Sequence, residues 1–197
     1  MNKKLHIFLA LIAFVAVFFV GYFWGQNKIK NDLINRLSNS VSQTAESIDN
    51  AAFSINIPEG WMEQPSISGV TATIVKEIEE HEEPELKNIN FKSYFMVTYD
   101  EMKDRTMPEY VEYIKEQVTN SIPDFVVDKE EVVEINGQEG YSIEGHERQQ
   151  GADFKSLLVL VRDKADGIWL VSFNTAQKDW EKYTGTAQET INSFVVK

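Results

Sequence analysis

Residues 154–173 read FKSLLVLVRDKADGIWLVSF, and this stretch decides the architecture. Leu157 to Val161 are apolar without a break, and so are Ile168 to Val171. Between them DKADG supplies a polar turn, so the two runs read as an antiparallel hairpin. An antiparallel strand with one wet face alternates apolar and polar residues. These runs do not alternate, so both of their faces need cover. Helices on each side of a mostly antiparallel sheet meet that demand and predict an α+β fold in three layers, α/β/α.

The flanking sequence supplies the other strands and the covering helices. EEVVEINGQEGYSIEG (130–145) holds Asn136-Gly137 between apolar alternations, the signature of a type I′ turn in which both residues take positive φ. A two-residue loop fixes the register and predicts Val132 opposite Tyr141. TMPEYVEYIKEQVTNSIPDF (106–125) predicts a helix capped by Thr106 or Asp104, with Pro108 in its first turn and a stop at Pro123. Its buried stripe is Val111, Ile114 and Val118, with Tyr110 beside it. GVTATIVKEI (69–78) and INFKSYFMVTY (89–99) read as two long strands, the second carrying Ile89, Phe91 and Tyr99 on one parity. FSINIPEGW (53–61) reads as a strand, a Pro-Gly turn and a Trp that returns to the core. The last stretch, 175–197, predicts a helix that Gly185 interrupts and Thr186 recaps, with Ala187, Ile191 and Phe194 facing the core. Tyr110, Tyr113, Trp180 and Tyr183 stand at helical spacing and read as core rather than as a ligand groove.

The order of FSINIPEGW, INGQEGY, DGIWLVSFNT and WEKYTGTAQETINSFVV resembles the PsbP family and its wider superfamily over about residues 51–197. The resemblance implies an α/β/α sandwich and accessory binding rather than catalysis. Photosynthetic members assist the oxygen-evolving complex, and relatives include a Ran-binding nuclear transport factor and bacterial envelope proteins. This chain departs from the photosynthetic pattern in its N-terminal segment and lacks a basic arm, so no photosystem-contact residue carries over.

That N-terminal segment begins with a short basic stretch, 1–4, followed by 5–25, LHIFLALIAFVAVFFVGYFWG. About twenty apolar residues in a helix cross roughly 30 Å of hydrocarbon. Leu5, Phe8, Leu11, Phe14 and Phe18 lie in the apolar run, and Tyr22 and Trp24 stand where an interfacial aromatic belt belongs. No A-x-A-like cleavage site follows, so the segment reads as a retained, single-pass signal anchor. Lys3 and Lys4 favour a cytoplasmic N-terminus, Lys28, Lys30 and Arg36 compete on the other flank, and the layout places the folded unit outside the cytoplasm. Residues 26–50 carry Ile29, Leu33, Leu37 and Val41 at four-residue spacing, with Ile48 near the same stripe. They read as a helical stalk fraying into a linker, or as a short dimerising coil that would make the chain a homo-oligomer.

The chain's net charge is −12. Residues 1–50 hold five basic and three acidic side chains, so the remainder carries −14. An acidic body repels nucleic acid. The absence of cysteine excludes disulfides and thiolate chemistry. Nucleotide-binding glycine loops and a G-x-S-x-G elbow are missing too, so neither an enzyme nor a cofactor is expected. The densest cluster of potential ligands is EIEEHEEPE (77–85), read as a hairpin tip. Glu79, Glu80, His81 and Glu82 are its candidate metal ligands, weighed against a solvated acidic tip that protects a sheet edge. Pro84 is expected to bar a helix there. His146 reads as a surface histidine beside Glu144 and Glu147. The sequence therefore predicts a membrane-tethered accessory domain that binds an envelope protein or complex, with a small-ligand or divalent-metal module as the alternative.

Overall fold

The computed structural model describes residues 47–65 and 69–197. The expected membrane segment, 5–25, and the expected stalk, as far as residue 46, lie outside the described residues. Among the described residues no helix is long and apolar enough to cross a membrane.

The chain runs through β1 (Ser47–Asp49), β2 (Phe53–Asn56), β3 (Trp61–Gln64), β4 (Ala72–Lys76), α1 (Pro84–Asn88), β5 (Tyr94–Glu101) and α2 (Met107–Ser121). It continues through β6 (Val126–Ile135), β7 (Gln138–Gln149), β8 (Ala152–Arg162) and β9 (Gly167–Ala176). A single 3₁₀ turn then leads into α3 (Trp180–Asn192) and β10 (Val195–Val196). Seven strands form one sheet in the order β3-β4-β5-β9-β8-β7-β6, and every neighbouring pair is antiparallel. A small sheet, β1-β2-β10, stands apart from it.

The unbroken apolar runs of β8 and β9 feed two cores, because successive side chains point to opposite faces of a sheet. Val159, Val161, Trp169, Val171 and Phe173 pack with Tyr183, Ala187 and Ile191 of α3 and with Phe53 and Ile55 of β2. Leu160, Ile168 and Leu170, on the other parity, pack with Met107, Tyr110, Val111 and Ile114 of α2. The sheet is thus covered on both sides, by α3 with the small sheet and by α2 with the segment around α1. Tyr110 and Tyr183 are buried, and Tyr113 and Trp180 pack half-buried against the cores.

Local rules account for the ends of the elements. Thr106 caps α2 in a capping box: its hydroxyl accepts from the Glu109 N–H, and the Glu109 carboxylate accepts from the Thr106 N–H at 2.8 Å. These bonds hold the Glu109 carboxyl below its usual range. Asn136 and Gly137 have φ of 51° and 79°, and Val132 pairs with Tyr141 as the turn requires.

Three expectations need correction. The strand expected over 89–99 begins only at Tyr94. Residues 77–93 form a long connection in which Ile89 and Phe91 pack on Leu86 and Phe154, so their shared parity reflects docking rather than pleat. Pro84 does not bar a helix but starts α1, in the first turn where its missing N–H costs nothing. Gly185 does not interrupt α3, which runs unbroken to Asn192. Burial of Tyr183, Ala187 and Ile191 on either side outweighs the helix penalty of one glycine, about 1 kcal/mol. In addition, Ile48, placed in the linker by its helical spacing, is buried in the α3-side core from strand β1.

Candidate functional site

The acidic segment 77–85 is threaded into the protein rather than held out as a tip. The Glu79 carboxylate accepts from the Ser93 N–H and from the Ser93 hydroxyl, the latter at 2.9 Å. That hydroxyl also contacts Thr175 Oγ1 at 2.7 Å on the central strand β9. His81 is buried, its Nε2 lying 3.1 Å from the Phe91 carbonyl and its ring 5.7 Å from the Phe91 ring. Its Nδ1 lies 3.7 Å from the Asp179 carboxylate. Glu83 pairs with Lys178, which lowers the carboxyl and raises the ammonium from their usual ranges. Glu80 and Glu82 face solvent. Of the four candidate ligands, Glu79 and His81 are thus drawn inward to different partners, and Glu80 and Glu82 point away from them. Among the described residues no three or more His, Asp or Glu side chains gather as a metal site.

His146 belongs to a separate cluster, on the α3 face of the sheet. Its Nδ1 is 2.8 Å from Asp128 Oδ1, and its cross-strand neighbour is Lys155. Lys155 bonds Glu144 at 2.7 Å, and its ammonium sits 4.8 Å from the centre of the Trp180 ring. Asp128 reaches this cluster because β6 bulges between Val127 and Lys129. Glu144 belongs to the cluster as expected from the sequence, but Glu147 does not. It projects from the other face, on the parity of Ile143, and is only 7% exposed. Among the described residues its Oε2 has no hydrogen-bond partner, and burial pushes its carboxyl up to about 7. The signal was present in the sequence: neighbours in a strand face opposite ways, so His146 and Glu147 cannot share a surface. Asp128 as a partner was not readable, since a bulge leaves no fixed spacing.

Among the described residues the β6–β7 ribbon forms one of the two edges of the large sheet, the other being β3. Beside the buried Ile135, the ribbon's turn is hydrogen-bonded to the body by Asn136, whose Nδ2 donates to the carbonyls of Asn192 (2.9 Å), the last residue of α3, and Phe194 (2.8 Å), just past it. Helix C-termini leave carbonyls without intrahelical partners, and Asn136 satisfies one there. Along β6 only Ile135 is buried, and Val126 and Val132 are 49% and 75% exposed.

No family model and no curated protein matches the chain. Solved structures do. Cyanobacterial PsbP from Synechocystis superposes with a TM-score of 0.60 at 15% identity, covering 81% of this chain and 96% of that one. LpqN of Mycobacterium tuberculosis, described as involved in cell envelope biogenesis, gives 0.57 at 11% identity over 77% of this chain and 89% of its own. The Ran-binding protein Mog1p of Saccharomyces cerevisiae gives 0.53 at 16% identity over 76% and 94%. The chain has the PsbP-like fold.

Proposed function

We propose that this chain is a non-catalytic accessory protein, anchored in the cell membrane through residues 5–25, whose folded unit lies outside the cytoplasm and binds another envelope protein or complex. The observation that carries this reading is the dispersal of the reactive side chains. His81 and His146 lie in separate clusters, each with one ring nitrogen engaged, His81 with the Phe91 carbonyl and His146 with Asp128. Acid–base or nucleophilic chemistry needs such groups converging on one reacting atom. What the surface offers instead is a long, exposed, acidic ribbon at a sheet edge, the geometry of a docking surface. The descriptions of LpqN as an envelope-biogenesis protein and of Mog1p as Ran-binding support the same direction.

The test is chemical crosslinking of the full chain in its native membrane, followed by identification of what is joined to it. One reproducible protein partner is the expected result. Crosslinks between copies of the chain alone would overturn the reading and direct attention to residues 26–50 as a dimerising coil. An alkaline wash that strips peripheral proteins checks the anchor. The full chain stays with the membrane, and a chain lacking residues 1–25 is released.

A further inference from the structure

Helix α2 crosses the sheet obliquely and leaves part of that face without cover. Near its start Tyr110 donates to Asp100 of β5 at 2.8 Å, and by its middle the Lys115 ammonium lies 3.1 Å from Glu130 on β6, at the far edge. Only Met107, Tyr110, Val111 and Ile114 are fully buried along it, and Val118, next in the stripe, is half-buried. The segment around α1 covers Phe154 and Ala176 at the other end of the same face. Between the two covers stand Ser156 of β8 and Ser172 and Asn174 of β9, half-buried in the middle of the sheet. Small polar side chains short of cover on the central strands form the floor of a hollow.

The strand register sets its walls. Tyr94, Asn174, Ser156 and Gly145 stand side by side across β5, β9, β8 and β7, and Phe154 and Glu147 are paired in the adjoining row. Tyr94 and Glu147 are both buried, and the carboxylate acts on the phenol through its charge although two strands separate them. The two side chains therefore lean toward each other over the floor. Glu147 Oε2, with no hydrogen-bond partner among the described residues, is aimed into the hollow. Folding alone gains nothing from it: burial strips the carboxyl of water, and an apolar side chain beside Phe154 would extend the cluster there.

The floor is also polarised. Ser156 donates to Asn174 Oδ1 at 2.8 Å, and Asn174 Nδ2 donates to Ser172 Oγ at 3.4 Å. That direction leaves lone pairs on Ser156 Oγ, on the side of Glu147. It leaves the Ser172 hydroxyl hydrogen and the second Asn174 N–H as donors at the other end. A carboxylate at one end refuses an anion. A divalent metal needs more ligands than one carboxylate supplies, and no acidic group of three gathers among the described residues. We propose that this hollow binds a small primary amine that also carries a hydroxyl or carbonyl oxygen, its ammonium held by Glu147 and Ser156 and its oxygen by Ser172 and Asn174. The site goes beyond the partner-binding reading and does not depend on it.

The ammonium takes the place of the proton that burial keeps on Glu147, so binding depends on pH. Tyr94 from β5 and the chain neighbour His146 are the titratable groups coupled to Glu147 through charge. In the α1 segment His81 faces Phe91 and Asp179, and the Glu85 stem lies beside Gly151. With the Glu147 carboxyl titrating at about 7, affinity is expected to be roughly a hundredfold lower at pH 5 than at pH 8.

The experiment uses the full chain in a neutral detergent, with ethanolamine, propanolamine and butanolamine as probes and the diols of the same lengths as controls. Melting temperature is followed against probe concentration, and the amide NMR signals of Ser156, Ser172 and Asn174 locate the site. At least one amine is expected to raise the melting temperature and move those signals, more strongly at pH 8 than at pH 5, and the diols to do neither. Glu147→Gln loses the binding yet melts higher than the parent at pH 8, which separates loss of the site from loss of the fold. His146→Gln keeps the binding and its pH dependence, and Ser172→Ala weakens the binding several-fold. Diols that bind as well as the amines overturn the inference, since the hollow would then take any polar filler. Calcium that stabilises the parent but not Glu147→Gln, while the amines do nothing, overturns it in favour of a metal. A series without effect overturns it too and leaves water as the occupant.

Discussion

Glu147 and His146 are neighbours in sequence with opposite fates, and the buried one makes the protein respond to pH. Burial raises the Glu147 carboxyl to about 7 from 4.5, so the folded state holds this proton more tightly than the unfolded chain does. The associated stability is fully present below pH 4.5 and is lost as pH rises through 7. Glu147→Gln keeps the shape and removes the titration. At about pH 8 the variant is expected to be more stable than the parent by about 3 kcal/mol, with the difference vanishing in acid. Denaturant unfolding across the pH range measures this, and a difference that does not change with pH would refute the assignment. Asn136 makes a second case. Asp also tolerates positive φ, but Asn136→Asp exchanges two donors for a carboxylate facing the carbonyls of Asn192 and Phe194. The expected loss is about 1–3 kcal/mol. Asn136→Gly keeps the turn, loses only the bonds and is expected to cost less. Equal losses would mean that turn geometry, not the carbonyl contacts, sets the cost.

At the scale of elements, the sequence was most legible where local chemistry leaves no choice. Asn136-Gly137 dictated both turn and register, and the start of α2 was narrowed to two caps, of which Thr106 is the one used. It was least legible where tertiary packing overrules local preference. Ile89 and Phe91 mimic a strand because both dock on a neighbouring cluster, and Gly185 mimics a break although its helix is held on both sides. Gly185 also yields a direct test. A Cβ added there meets nothing within 4 Å, so Gly185→Ala fits without strain. It is expected to add about 1 kcal/mol and to raise the melting temperature by roughly 2–4 °C. A fall in melting temperature would show that the glycine has another role. The candidate ligands in 77–85 were conspicuous as a cluster of charge. Their separate destinations, Ser93 for Glu79 and Phe91 for His81, depend on contacts that no spacing rule encodes.

For the whole molecule, two unbroken apolar runs were enough to forecast a sheet buried on both faces, because that requirement holds whatever the loops do. The small sheet was not forecast. Its outer strands are three and two residues long, and they gain order only by flanking β2. That arrangement has a topological consequence. Asp49 and Val195 both pair with Ser54, so the first and last strands of the folded unit lie about two strand spacings, roughly 10 Å, apart. The folded unit, residues 47–197, is very nearly a closed ring, and where it is cut is incidental to its native contacts. A circular permutant with the two ends joined by a short linker and a new opening at Ala165, in the exposed tip between β8 and β9, is expected to reach the same structure. It is expected to do so more slowly, since the central hairpin becomes the most distant pairing in the chain. Stopped-flow refolding with circular dichroism would read both quantities, and a permutant that never folds would show that the β8–β9 turn must form first.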